Sequence, residues 1–230
     1  MIEGDSPSSE AGRTDRDHTQ LVKQAAAELG FERCGIARAG PIPREAALLD
    51  WLARGRAGSM AYMHRHPGSR RDVREWLPWA RSVIVVALNY HRPAPKKPND
   101  QPRGRVAMYA WGEDYHVVLR EKLDRLVERL EDVLDGPFQT RVCVDTSAIV
   151  ERELAAMAGI GWIGKNTLVL HPSLGSFFFL GEIITDLSLE PDAPEPDHCG
   201  SCTRCLDACP TGAFPRAYEM DASRCISYLT

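Results

Sequence analysis

The sequence predicts an α+β domain followed by a small cysteine-rich module of ferredoxin type, and three stretches carry that prediction. SVIVVALNY, residues 82–90, is a near-continuous apolar run rich in β-branched residues, as in a strand buried on both faces. Residues 114–134 place Val118, Leu119, Leu123, Leu126, Val127, Leu130 and Leu134 at three-to-four spacing, the apolar stripe of a long helix. HCGSCTRCLDACPTG, residues 198–212, sets four cysteines within eleven residues and follows them with proline and glycine.

The other elements fall into order around these. Residues 1–17 read as a disordered leader, since the N-terminus lacks the apolar stretch of a signal peptide. Residues 18–29 have a helical rhythm closed by Gly30, and FERCGIARAG then reads as a short strand. A helix is expected over 43–53, with proline at its start and Gly55 just past its end. Residues 59–80 mix helix with turns, and the Pro-rich, polar residues 91–104 form a long surface loop or lid. FQTRVCVD, residues 138–145, is the next strand, running into a helix capped by Thr146 or Ser147. TLVLHPSLGSFFFLGEIIT reads as two short antiparallel strands with residues 172–175 as their turn. The acidic, proline-rich PDAPEPDH links an α+β domain over 18–190 to the cysteine module over 191–230.

A chain of 230 residues can bury a sizeable core and still carry a small appendage. No apolar run is long enough to cross a membrane, so none is expected as a partner. The formal net charge of -4 hides an uneven distribution. Residues 54–81 contain seven arginines against Asp72 and Glu75, with Lys96, Lys97, Arg103 and Arg105 following, whereas residues 182–197 carry six acids and no base. The arginines form either a face for an anionic polymer or simply a solvated surface.

The spacing Cys199-x2-Cys202-x2-Cys205-x3-Cys209-Pro210 is that of two-cluster ferredoxins. There three cysteines hold one [4Fe–4S] cluster and the fourth reaches the other. A structural zinc is the rival, but it needs only four ligands and no proline after the last. A disulfide framework suits neither the crowding at one end nor the odd total of seven cysteines. Two cubanes need eight thiolates, four each. Cys199, Cys202, Cys205, Cys209 and Cys225 supply five, while Cys34 and Cys143 lie in apolar strand contexts as core residues. Three ligands are missing, so the chain reads as truncated, with a further cysteine run expected beyond residue 230. Clusters of this kind belong in a reducing compartment, hence the cytoplasm.

AGIGWIGKNT, residues 158–167, imitates two nucleotide motifs and satisfies neither. Gly159, Gly161 and Gly164 fit G-x-G-x-x-G, but they follow a helix and feed a strand, the reverse of a dinucleotide site. As a P-loop it fails at Asn166, where magnesium needs a hydroxyl. The remaining readings are a helix-ending turn, or a glycine turn that lets backbone approach a bulky ligand beside Lys165 and Asn166.

RVCVDTSAIVERELAAMAGIGWIGKNTLVL, GSFFFLGEIITDL, HCGSCTRCLDACPTGA and DASRCISYLT, with YMHRHPGSRRDVREWLPWARSVIVVALNY and RVAMYAWGEDYHVVLR, together resemble the epoxyqueuosine reductase family. The resemblance covers nearly everything from residue 18 onward. It implies a mixed-sheet corrinoid-binding domain followed by a ferredoxin-like two-[4Fe–4S] module that is incomplete in this chain. It further implies an oxidoreductase of queuosine biosynthesis that reduces epoxyqueuosine to queuosine at the wobble position of tRNA anticodons. Electrons pass through two [4Fe–4S] clusters, in the full-length protein, to base-off cobalamin. The implied partners are the modified tRNA and an external donor of flavodoxin or ferredoxin type, with the enzyme a monomer. In the family's VD(S/T) motif the carboxylate is the proton donor, and the matching residue is Asp145. Residue chemistry leaves two roles open for Asp145: a strand-end acid whose partial desolvation favours the protonated form, or a helix cap. Met63, Tyr109, His116, Arg141, Asp145, Ser147, Lys165 and Asn166 lie in segments resembling the family's cofactor-binding elements. The family's C-terminal helical repeats, which grip tRNA in many members, have no counterpart here. Two other functions remain open: a cobalamin-dependent reductive dehalogenase, usually exported behind a twin-arginine signal, and an electron-transfer protein without a substrate of its own.

Overall fold

Thr14 opens the first helix with a capping box: its hydroxyl accepts from Asp17 N while the Asp17 carboxylate accepts from Thr14 N. In the computed structural model, which describes residues 14–93, 104, 106–134 and 136–229, this helix is α1 (Asp15–Glu28). It starts three residues before the expected boundary at 18, because Asp15 and Asp17 suit the positive end of a helix. The end of the expected leader is therefore helical, and residues 1–13 lie outside those described. Gly30 adopts φ +78° at the helix end, a conformation glycine reaches without strain.

The chain continues through β1 (Arg33–Arg38), α2 (Glu45–Ala53), α3 (Pro67–Arg71) and β2 (Ser82–Asn89). The long helix α4 (Tyr115–Val133) and β3 (Thr140–Cys143) follow. Then come α5 (Glu151–Met157), β4 (Trp162–Ile163), β5 (Val169–Leu170) and β6 (Phe178–Thr185), with α6 (Arg204–Asp207) and α7 (Ile226–Leu229) in the cysteine segment. The main sheet has the order β1-β2-β6-β3. All three of its pairings are antiparallel, so the expected mixed sheet is corrected to an antiparallel one within an α+β fold.

Strand alternation separates two cores. Ile84, Val86 and Ile183 face α1 and α4, where Leu119, Leu123, Leu126 and Leu130 are fully buried. Burying each such side chain is worth on the order of 1.5–3 kcal/mol. Val83, Val85, Ala87 and Ile184 face the opposite way, onto α5 and the β4–β5 ribbon. Gly35 permits this second contact, because a Cβ there would stand 2.0 Å from the carbonyl oxygen of Ala158. β6 is apolar on both faces and therefore pairs centrally with β2 and β3. It does not pair with the strand before it, as expected from sequence; β5 pairs with β4 instead. The turn over 172–175 is present, closed by a bridge between His171 and Gly175.

The linker runs beside β1, where Ile36 N donates to the Asp192 carboxylate and Asp192 N returns a bond to Ile36 O. The cysteine segment then locks onto α2 and the turn after it. Trp51 Nε1 donates to Met220 O, Arg54 pairs with Glu219, and Arg56 pairs with Asp221 at 2.5 Å. Among the described residues no helix is long and apolar enough to cross a membrane.

Candidate active site

β3 ends at Cys143, and the backbone to Val150 is irregular rather than helical. Thr146 and Ser147 therefore do not cap a helix; α5 begins at Glu151 behind Val150, which offers no side-chain cap. Asp145 lies in this loop at φ +54°, a left-handed conformation uncommon for a residue with a Cβ. The Glu151 carboxylate reaches back to accept Asp145 N at 2.6 Å and so holds the turn.

The Asp145 side chain is 56% exposed rather than desolvated, and its Oδ2 lies 3.2 Å from His116 Nε2. His116 Nδ1 lies 2.7 Å from the carboxylate of Asp114, the N-cap of α4. Tyr115 stacks on the imidazole and on Phe179, fixing the ring between the two acids. Burial works against the charged imidazole, yet hydrogen bonds and charge from Asp114 and Asp145 outweigh it and raise the His116 pKa. The same hydrogen bond holds Asp114 below the ordinary carboxylate range. Asp114, His116 and Asp145 thus form a line of acid, imidazole and acid.

Beneath the loop lies a second acid pair. Glu182 of β6 is completely buried, and neither carboxyl oxygen has a hydrogen-bond donor among the described residues. Burial, then the neighbouring charge of Glu151, pushes its pKa well up, while burial likewise raises that of Glu151. A shared proton reconciles the pair: a protonated Glu182 can donate to Glu151, which then holds Asp145 N. Sequence reasoning passed over both glutamates. The visible signal was a lone acid inside the apolar strand FFFLGEIIT.

Asp145 borders a cleft of about 1350 Å³ between α2, α3, the loop before α5 and the cysteine segment. Met63 and Ser147 also line it, as do Trp162, Ile163 and Tyr218. Five of the eight expected cofactor residues are not among those lining it: His116, described above, and four others. Tyr109 is exposed on the turn before α4, and Arg141 lies over the Trp76 ring at 5.3 Å. Lys165 Nζ donates to the carbonyls of Gly200 and Cys202, while Asn166 Oδ1 accepts Leu168 N within its own turn. Lys165 thus ties the glycine turn to the cysteine segment, and its neighbour shapes that turn.

Among the five clustered cysteines, Cys199 Sγ accepts from Trp162 Nε1 at 3.4 Å. Cys209 Sγ accepts from Ala213 N, with the Thr211 hydroxyl beside it, and these contacts lower its pKa. The Cys209 environment favours thiolate. Yet among the described residues no three His, Cys, Asp or Glu side chains converge as a metal site. Cys143 is buried in the core as expected and Cys34 packs half-buried against it, burial pushing their thiols up to about 11 and about 12 respectively.

The arginine-rich stretch is largely committed internally, which corrects the free basic face. Arg54 and Arg56 hold the cysteine segment, Arg71 pairs with Glu45 and Glu75, Arg74 with Asp72, and Arg81 bonds Ser188. Lys96, Lys97, Arg103 and Arg105 lie outside the described residues.

Residues 70–146 match the family model described as epoxyqueuosine reductase QueG, DUF1730, and residues 198–230 match a 4Fe-4S double cluster binding domain. An epoxyqueuosine reductase from Leadbetterella byssophila is 44% identical over 216 residues, 94% of this chain and 70% of that protein. An epoxyqueuosine reductase crystallised with a tRNA-Tyr epoxyqueuosine-modified stem loop superposes with a TM-score of 0.81 at 35% identity. The Bacillus subtilis epoxyqueuosine reductase, with its catalytic aspartate loop swung out of the active site, gives 0.79 at 34%. Both matches cover 91% of this chain but 56% of the solved one, so the chain spans little more than half their length. A reductive dehalogenase shares the fold alone, with a TM-score of 0.56 at 15% identity.

Proposed function

The chain belongs to the epoxyqueuosine reductase family, and from that membership we propose that it provides the cofactor cleft and the acid of a reductase converting epoxyqueuosine to queuosine in tRNA anticodons. The observation carrying this reading is Asp145 on a strained loop at the wall of the 1350 Å³ cleft. Cobalamin is large and amphipathic, and the cleft offers it apolar surface from Met63, Trp162 and Ile163 with hydroxyls from Thr146 and Ser147. When bound, cobalamin and the iron–sulfur clusters supply the low-potential electrons that side chains cannot.

Asp145 supplies what the electrons lack. Breaking a carbon–oxygen bond of an epoxide leaves an alkoxide; reduction to the alkene takes two electrons and two protons and releases the oxygen as water. In this reading Asp145 protonates that oxygen, and His116 Nε2, 3.2 Å from Asp145 Oδ2, supports it by returning the proton. Asp114 favours the charged form of the imidazole and orients the ring for this task. The tRNA stem-loop and an external one-electron donor are the partners of this reading. The match of residues 198–230 to a 4Fe-4S double cluster binding domain and the thiolate-favouring surroundings of Cys209 support cluster ligation by Cys199, Cys202, Cys205, Cys209 and Cys225.

The test is single-turnover reduction of an epoxyqueuosine stem-loop by the full-length, anaerobically loaded protein under excess low-potential reductant. Asp145→Asn is expected to lose about 10²–10⁴-fold in rate, with cobalamin and stem-loop affinity unchanged. Undiminished turnover removes Asp145 from the chemistry, and lost cobalamin binding makes it a cofactor residue instead.

A further inference from the structure

Of the seven arginines in residues 54–81, Arg65 and Arg70 make neither an ion pair nor a hydrogen bond to another side chain among the described residues, and of these two Arg65 is exposed while Arg70 is buried. It is only 8% exposed, and its Nε has no hydrogen-bond partner. Nη2 makes a long bond of 3.2 Å to the Tyr62 carbonyl. Arg56 and Arg71 also have Nε atoms without a well-formed hydrogen bond, but those face Glu219 at 3.4 Å and Glu45 at 2.8 Å. No carboxylate among the described residues lies within ion-pair distance of Arg70.

A buried guanidinium without a counter-ion is costly, and such groups persist where an ion completes them. Arg70 lines the cleft together with Arg65, His66, Thr146 and Ser147, two further nitrogen-bearing groups and two hydroxyls. Its neighbour Ser69 ties this wall to the Asp145 loop, its Oγ lying 2.8 Å from Ala148 O and 3.0 Å from His66 O. His66 enters α3 in a left-handed conformation at φ +52°, which turns the chain sharply at the same place.

We infer that Arg70 is the anion receptor of the cleft, taking a phosphodiester against its guanidinium within reach of the Asp145 loop. This rests on the proposed cofactor and substrate, both of which carry that group: cobalamin in its nucleotide arm, and tRNA in its backbone. A planar guanidinium offers a phosphodiester two parallel N–H bonds, which an ammonium does not.

Cobinamide, which lacks the nucleotide arm and its phosphodiester, separates the sources. Affinities of cobalamin, cobinamide and an anticodon stem-loop are measured by absorbance and fluorescence titration on wild type, Arg70→Met and Arg70→Lys in the full-length protein. If the phosphodiester is the cofactor's, Arg70→Met weakens cobalamin by about 10–100-fold, leaves cobinamide within twofold, and Arg70→Lys recovers part of the loss. If it is the RNA's, stem-loop affinity falls while both corrinoids bind as before. Equal losses for cobalamin and cobinamide, or no loss for any ligand, overturn the inference and make Arg70 a packing residue. A wild type that takes up neither corrinoid overturns the cofactor reading itself, and with it the basis for this one.

Discussion

Glu182 occupies β6, one of the two inner strands of the sheet, opposite Val85 and Cys143, with no donor for its carboxyl oxygens among the described residues. Leaving a carboxylate there would cost several kcal/mol, so the folded protein keeps the proton that it shares with Glu151. The folded pKa is raised, and an unfolded glutamate ionises above about pH 4.3. Unfolding therefore releases a proton, and stability contributed by this group falls as pH rises from there through the folded value. Glu182→Gln keeps the shape and offers amide donors to Glu151 with no proton to lose. The thermal midpoint of the variant is expected to stay nearly level with pH where the wild type declines. At this size, ~1 kcal/mol corresponds to about 2–4 °C. A gap between the two proteins that does not change with pH would place the shared proton elsewhere. The signal for Glu182 was one acid in an apolar run, but nothing in the sequence paired it with Glu151 or aimed Glu151 at the backbone of Asp145.

Single elements were legible to the extent that their own periodicity decides them. α4 was readable because four leucines at helical spacing bury against a sheet, and β2 because an apolar, β-branched run suits a central strand. The pairing of β6 was not, since both its faces are apolar and local sequence does not say which neighbours a central strand finds. The loop before α5 was misread as a capped helix because Thr146 and Ser147 are good caps in isolation. Instead, Asp145 N donates to the Glu151 side chain six residues on, and the helix begins only at residue 151. The contact between α2 and the cysteine segment shows what such long-range ties do. Asp221 accepts from Ser223 N and Oγ and pairs with Arg56, contacts that lower its pKa, with the Ser223 bond the largest cause. Asp221→Asn retains the turn but loses the ion pair. Limited proteolysis within residues 199–229 is expected to quicken by about 10–100-fold, as for loss of a charged hydrogen bond worth ~1.5–3 kcal/mol. Unchanged cleavage would mean that Trp51 and Arg54 hold the segment without it.

For the molecule as a whole, charge and cysteines have to be assigned in three dimensions before they can be read as function. The arginines that looked like a face for nucleic acid mostly bind the protein's own acids, and two of them, Arg54 and Arg56, hold the cysteine segment against the cleft. That segment contributes Glu195, Asp197 and Tyr218 to the cleft wall, so the cysteine segment and the α+β domain share one boundary there. The thiol count then limits what this chain can assemble. Cys199, Cys202, Cys205, Cys209 and Cys225 are free in the segment, whereas Cys34 and Cys143 are committed to the core with raised thiol pKa values. Two [4Fe–4S] clusters require eight thiolates, three more than the segment holds. Anaerobic reconstitution of residues 1–230 with iron and sulfide, followed by iron and acid-labile sulfide analysis, is expected to give fewer than eight irons per chain. A full eight, with ordinary cluster spectra and no added thiol, would require ligands other than cysteine to complete the sites, with or without Cys34 and Cys143 leaving the core, since the chain has seven cysteines. Either outcome would show as a loss of thermal stability or as altered cluster spectra, so the iron count and the melting curve together decide whether the five thiols limit cluster assembly.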